Sequence, residues 1–198
     1  IATDAPMALQ RMIPDYTASL EASTEGACED GACEPEHEVQ ASTDFAQCAR
    51  SGAKDCGTLP AIGATEWLNS LGEPHGTVTL VDFWSSSCVN CAREIPEVER
   101  IYEKYKDAGL VVIGVHSPQQ AHEREASVVS GAASRLGITY PVALDPELEA
   151  FKAYGANAWP THYLAGPDGQ LRSMGRGTSG LEEQIRTLLT EAGASLPN

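Results

Sequence analysis

Cys88 and Cys91, separated by Val89-Asn90, stand between a β-rich run, Thr77 to Trp84, and a helical pattern that begins at Asn90. A strand that delivers a cysteine to a helix N-terminus sets its sulfur among unpaired backbone N–H groups at the positive end of the helix dipole. Both features stabilise a thiolate, the attacking species in thiol–disulfide exchange. The spacing therefore points to a redox pair. Cys88, at the helix tip, attacks a disulfide or is attacked, and Cys91 resolves the mixed disulfide, for which it must lose its proton.

A nearby carboxylate can take that proton. Asp82 lies inside the strand among Leu80, Val81, Phe83 and Trp84. A carboxyl group buried there without a cation nearby favours its protonated form and can hold and release a proton near neutral pH. Glu94, three residues after Cys91, is about 300° around the helix and shares a face with it. The plainer alternatives are a satisfied buried acid for Asp82 and a solvated helix carboxylate for Glu94. Trp159-Pro160 precedes a β-rich stretch, and a proline there is a candidate cis peptide that leaves a neighbouring backbone edge free for a substrate chain. His162 and His116 read as hydrogen-bonded, partly buried histidines rather than catalysts.

The elements that must position these groups follow an alternating pattern from Leu59 onward. Val78 to Trp84 reads as a strand. Asn90 to Lys106 has helical spacing at Ile95, Val98, Ile101, Tyr102 and Tyr105, and Leu110 to Val115 is a continuous apolar strand. This βαβ order predicts a parallel pair with the cysteines at the carboxyl end of the first strand. Gln120 to Leu136 reads as a second helix, Thr139 to Leu144 as a strand and Pro146 to Tyr154 as a short helix. Thr161 to Ala165 and Gln170 to Met174 read as a hairpin around Gly166-Pro167-Asp168-Gly169, and Gly180 to Ala192 as a closing helix.

Residues 1–57 differ from the rest. They hold 11 acidic and 3 basic residues and four of the six cysteines, with little apolar periodicity. The expected organisation is an acidic, cysteine-bearing extension over 1–57 and one domain over 58–198. Within the extension, helical turns are expected at Met7 to Ile13 and at Asp44 to Ala49. The formal net charge of −15 repels phosphate backbones and anionic lipid, so nucleic acid is not an expected partner. No stretch reaches the roughly 18 consecutive apolar residues of a membrane span. The chain opens at Ile1, which reads as a signal peptide or anchor lying upstream. Six cysteines suit an oxidising, extracytoplasmic setting.

Val81-Asp82-Phe83-Trp84, Cys88-x-x-Cys91, Glu94 with Pro96, Val112 to Val115, Tyr140-Pro141-Val142 and Trp159-Pro160-Thr161 together resemble the thioredoxin superfamily, in its TlpA/ResA-like branch, over roughly Leu59 to Ala194. Ser87 to Cys91, Gly114 to Pro118 and Trp159 to Tyr163 are similar to the soluble thioredoxin-like domain of DipZ-type proteins. The resemblance implies an α/β, thioredoxin-like fold: a central mixed sheet flanked by helices, with a helical insertion at Gln120 to Leu136 and an irregular N-terminal extension. It implies that Cys88 is the nucleophile, Cys91 the resolving thiol, Glu94 an active-site acid, Asp82 the buried aspartate and Pro160 the cis-proline, with Pro96 kinking the active helix. Trp84, Trp159 and Thr161 are the candidates for substrate contact. It further implies an extracytoplasmic thiol-disulfide oxidoreductase, without organic cofactor or metal. Its substrates would be protein thiols and disulfides, its electron partner a membrane protein of the CcdA or DsbD kind, and its direction reducing, as in cytochrome c maturation. A disulfide oxidase or isomerase, and a Sco-like copper-binding module, are the alternatives. Ser87 replaces an aromatic residue common in relatives, and Val89-Asn90 is neither Gly-Pro nor Pro-His, so the dipeptide does not reveal direction.

Cys28, Cys33, Cys48 and Cys56 have no counterpart in the minimal fold. Nearest-neighbour pairing, 28 with 33 and 48 with 56, is the simplest of three, because Asp30-Gly31 is a turn signal. These cysteines read as structural staples, as a second redox pair feeding Cys88–Cys91, or, least well, as a metal site with His37.

Overall fold

The computed structural model describes residues 36–51, 56–70 and 76–197. The expectations for Cys28, Cys33, the side chain of His37 and the turn at Met7 to Ile13 lie outside the described residues. In chain order the elements are α1 (Glu36–Ser51), β1 (Trp67–Leu68), β2 (Val78–Trp84), α2 (Val89–Tyr105), β3 (Leu110–His116), α3 (Ala126–Leu136), β4 (Val142–Leu144), α4 (Glu149–Ala153), β5 (Thr161–Ala165), β6 (Leu171–Gly175) and α5 (Leu181–Glu191). Single 3-10 turns cover Lys106–Ala108 and Ala121–Arg124.

The strands form one sheet in the order β1-β4-β3-β2-β5-β6. β2 pairs in parallel with β3 from Val78↔Leu110 to Trp84↔His116, as the βαβ pattern predicts, and antiparallel with β5 from Thr79↔Ala165 to Phe83↔Thr161. β5 and β6 make the expected hairpin, with a register shift between Leu164 and Ala165. β2 is central and its residues are buried except for the half-buried Thr79, which explains why it reads as a nearly continuous apolar run.

Side chains alternate across β2, and the two faces collect separate cores. Val78, Leu80 and Trp84 pack with Cys91, Ile95, Val98 and Ile101 of α2, Val129 and Ala132 of α3, and Ile185 and Leu189 of α5. Val81 and Phe83 pack with Phe45 and Ala49 of α1, Ala150 and Phe151 of α4, Tyr154 and Tyr163. Asp82 has the parity of Leu80 and Trp84, so it points into the α2 layer. Arg100, Lys104 and the Tyr105 hydroxyl all bond Glu182 at the start of α5, which ties α5 to α2.

The structure departs from the sequence expectations in three places. The expected helix Gln120 to Leu136 is interrupted: a 3-10 turn ends at Arg124, and Glu125 is extended (φ −73°, ψ 122°) before α3 begins. The expected strand Thr139 to Leu144 shrinks to β4, because the ladder starts only after Pro141, which has no N–H to donate. The helical turn expected at Asp44 to Ala49 is the C-terminal part of the longer α1. α1 packs against the sheet. Phe45 and Ala49 are buried, and Phe45 meets Tyr154 edge-on at 5.8 Å. Gly155 makes room for α1: it has φ +68°, and a Cβ there would fall 2.5 Å from the Ala46 carbonyl oxygen.

Candidate active site

Cys88 is the N-cap of α2 and is joined to Cys91 by a disulfide. The backbone N–H of Cys91 donates to Cys88 Sγ at 3.1 Å, and the first turn of the helix holds no carboxylate. Cys88 Sγ thus receives an N–H donor at the positive helix end, the arrangement that favours a thiolate after reduction. Cys91 is 1% exposed and Cys88 8%, while Val89 between them is 64% exposed. Cys88 thus lies nearer the surface, beside the exposed Val89, and Cys91 is sealed beneath it.

Asp82 does not meet the condition placed on it from sequence. It is buried, as expected, but a cation candidate faces it: His162 Nδ1 is 3.2 Å from Asp82 Oδ1. The approach is an ion-pair contact rather than an aligned hydrogen bond, since neither atom has a hydrogen-bond partner. The other ring nitrogen, Nε2, bonds Glu94 Oε2 at 3.2 Å. Burial disfavours the imidazolium, but the charge of Asp82, the contact to it and the bond to Glu94 outweigh burial and hold His162 at about 9. His162 is therefore protonated at neutral pH, between a buried carboxylate on β2 and a half-buried one on α2, one turn beyond Cys91. The hairpin carries it there: β5 register puts His162 opposite Asp82. Read from sequence as a bland histidine, it is the link between the two proton-handling candidates.

A second polar group, missed in the sequence, supports the loop before Cys88. Glu123 is fully buried on the 3-10 turn. Its Oε2 accepts from Ser85 Oγ at 2.8 Å and from the Gln119 N–H at 2.8 Å. The Ser86 N–H donates to His116 Nε2 at 3.1 Å, and the His116 ring stands edge-on to Trp84 at 4.8 Å. Burial pushes His116 down to about 4, so it is neutral at pH 7, as an Nε2 acceptor must be. The only sequence signal for Glu123 was an acidic residue inside a region of helical spacing.

Trp159–Pro160 is cis, which agrees with the expectation. Trp159 stacks on Phe151 at 4.5 Å and remains half-buried beside this turn. Of the other candidates for substrate contact, Thr161 is buried and its hydroxyl donates to the Ala158 carbonyl at 2.7 Å. Trp84 is fully buried in the α2-side core; it supports the loop from beneath and offers no surface to a substrate. Cys48 and Cys56 form a disulfide, and Cys56 packs with the core on the α1 side of the sheet, opposite the face that holds Cys91. Among the described residues no cluster of metal-ligating side chains is present and no helix is long and apolar enough to cross a membrane.

Comparison with known proteins agrees with this geometry. The model of the AhpC/TSA family matches residues 59–174. The chain is 40% identical over 216 aligned positions to Protein DipZ of Mycobacterium tuberculosis, covering 98% of this chain but 30% of that one, so it spans less than a third of that relative's length. It is 31% identical over 139 aligned positions to the thiol-disulfide oxidoreductase YkuV of Bacillus subtilis, covering 65% of this chain and 91% of that one. The solution structure of a thioredoxin-like protein in the oxidised form superposes with a TM-score of 0.61 at 29% identity, over 68% of this chain and 96% of that one. The family model covers more than half of the chain, and with the Cys-x-x-Cys pair at a helix N-cap, the cis-proline turn and the mixed sheet of a thioredoxin-like fold, the chain belongs to the AhpC/TSA family.

Proposed function

We propose that this chain reduces protein disulfides outside the cytoplasm, with Cys88 as nucleophile and Cys91 as resolving thiol. The observation that carries the assignment of roles is their unequal burial on one helix turn: Cys88 is the N-cap with an N–H donor on its sulfur, and Cys91 is sealed behind it. Cys88 thiolate attacks one sulfur of the substrate disulfide, that S–S bond breaks, and the departing thiolate takes a proton. Cys91 then gives its proton to the Asp82 carboxylate and attacks Cys88 Sγ, closing the Cys88–Cys91 bond and releasing the second substrate thiolate, which is protonated in turn. Pro160 and Trp159 border the substrate chain. His162, held between Asp82 and Glu94, fixes the position of both carboxylates beside Cys91.

Six cysteines with a second disulfide, Cys48–Cys56, suit an oxidising, extracytoplasmic setting; there the electrons would come from a membrane donor of the CcdA or DsbD kind, with cytochrome c maturation as their destination. The test is direct. Cys88→Ser abolishes insulin reduction, and Cys91→Ser traps a mixed disulfide with the substrate; turnover by Cys88→Ser overturns the assignment. Equilibration in glutathione buffers gives direction: a potential below about −250 mV marks a reductant, and one above about −180 mV a disulfide donor.

A further inference from the structure

Glu123 is a charge where the architecture needs only a hydrogen-bond acceptor. Its Oε2 takes the Ser85 hydroxyl and the Gln119 N–H, while Oε1 is buried with no partner. Burial alone raises its carboxyl, but the nearby Ser87 hydroxyl and the hydrogen bonds from Gln119 N–H and Ser85 lower it to about 2. It is anionic throughout the neutral range. None of the ion pairs among the described residues includes it: the adjacent Arg124 pairs with Glu147 at 3.1 Å, and His116, which faces it from β3, is neutral at pH 7. A buried charge without a counter-ion is costly, and an amide in its place would accept the same two hydrogen bonds. The charge itself therefore needs an explanation.

Its neighbour is the nucleophile. Ser85, whose hydroxyl bonds this carboxylate at 2.8 Å, lies three residues before Cys88 and accepts the Cys88 N–H on its carbonyl at 3.1 Å. We propose that Glu123 is a fixed anion that opposes the thiolate of Cys88 and thereby makes the Cys88–Cys91 dithiol a better electron donor. The inference deepens the reducing reading above and rests on it for its physiological sense. The other groups that face the pair do not duplicate this effect. The α2 N-terminus and the Cys91 N–H favour the thiolate, Arg93 is exposed on α2, and the Asp82–Glu94 carboxylates on the Cys91 side are bridged by protonated His162.

The sign follows from the charges of the two redox states. The disulfide is neutral and the reduced pair carries a thiolate, so a nearby anion penalises only the reduced form. Glu123 thus offsets the helix terminus that would otherwise stabilise the dithiol state and turn the pair into an oxidant. It acts through the field at Cys88 and touches no reacting atom, so it is a positioning residue rather than a catalytic one.

Glu123→Gln retains shape and an acceptor while removing the charge. Its Cys88 thiol pKa, read from the pH dependence of iodoacetamide alkylation, falls by about one unit. Its equilibrium with glutathione shifts about tenfold toward the dithiol, which is about 30 mV upward for a two-electron couple. Glu123→Asp, which keeps the charge, stays close to the parent in both readouts. A folded Glu123→Gln protein, with near-UV circular dichroism unchanged, whose thiol pKa and equilibrium match the parent overturns the proposal. Ser85→Ala decides the matter independently of that variant. It removes one hydrogen bond and leaves the carboxylate less neutralised, so the Cys88 pKa rises or holds; a fall instead shows that the loop's hydrogen bonds, not the charge, set the thiol, and overturns the proposal. A parent protein that equilibrates as an oxidant removes the reducing reading, while the sign of the Glu123→Gln shift still decides the role of Glu123.

Discussion

The two faces of the central sheet are built from alternate residues of the same strands, yet they bury opposite kinds of chemistry. On the α2 side, β2 and β5 present Asp82 and His162, with Glu94 above them and the disulfide at the end of the layer. On the α1 side the neighbouring positions are Phe83 and Tyr163, which join Phe45, Phe151 and Tyr154 in a set of edge-on ring contacts at 5.1–5.8 Å. The polar face tolerates unpartnered buried atoms at Asp82, Trp84, Tyr140 and His162, each a cost to stability. The aromatic face, by packing alone, offsets that cost and holds the strands in register. A one-residue slip of β2 would exchange Asp82 with Phe83 and destroy both faces.

If the faces divide stability from chemistry, damage to the aromatic side lowers stability without touching the redox pair. Phe83→Ala removes a ring that is fully buried and edge-on to Phe151, Tyr154 and Tyr163. The expected loss is about 3–5 kcal/mol in urea unfolding. The folded fraction retains its Cys88–Cys91 potential; a displaced potential in folded protein breaks the division.

The polar side makes the converse prediction, through pH. His162 is raised from 6.5 to about 9 in the fold, so its protonated form is preferred in the native state. Its contribution is complete below about pH 6.5, declines as pH rises, and is gone above about 9. A shift of that size corresponds to on the order of 3 kcal/mol. His162→Gln is accordingly less stable than the parent at pH 6, and the gap narrows steadily toward pH 9.5. A gap independent of pH shows that His162 is a neutral packing residue and separates Asp82 from Glu94.

What was legible beforehand follows the range of the interactions. β2, α2 and β3 could be read to within a residue or two because burial on both strand faces and a 3.6-residue repeat are local patterns. The N-cap role of Cys88 was legible for the same reason, whereas the cis peptide before Thr161 was legible through the family resemblance rather than through any local pattern. α1 reads as a single turn because the buried residues among its described side chains, Phe45, Ala46 and Ala49, find their partners Tyr154 and Gly155 more than a hundred residues away. β1 is two residues long and exists only because β4 pairs with it. His162 and Glu123 looked ordinary because their meaning lies in partners 80 and 38 positions distant, Asp82 and Ser85, a separation that no local pattern encodes. The break at Glu125 is the local trace of that second contact: the turn before it must carry Glu123 inward to the serine loop.

The Cys48–Cys56 disulfide gives the smallest and most discriminating test, because it lies on the aromatic side while being made of the residues that the other side uses for chemistry. It closes a short loop, with a sequence separation of 8, between the end of α1 and the strand-like segment that leads to Ile62. Chain-entropy reasoning assigns such a loop about 2.5 kcal/mol. Replacing both cysteines by serine therefore lowers unfolding stability by about that amount, frees α1 from the segment after it, and leaves insulin reduction and the Cys88–Cys91 potential unchanged. Slower turnover at an unchanged Cys88–Cys91 potential would instead mean that electrons pass through the second pair. They would then have to reach Cys91 from the far face of the sheet, across β2, by the movement of a chain segment rather than by contact, and the division of labour between the two faces would fail at that point.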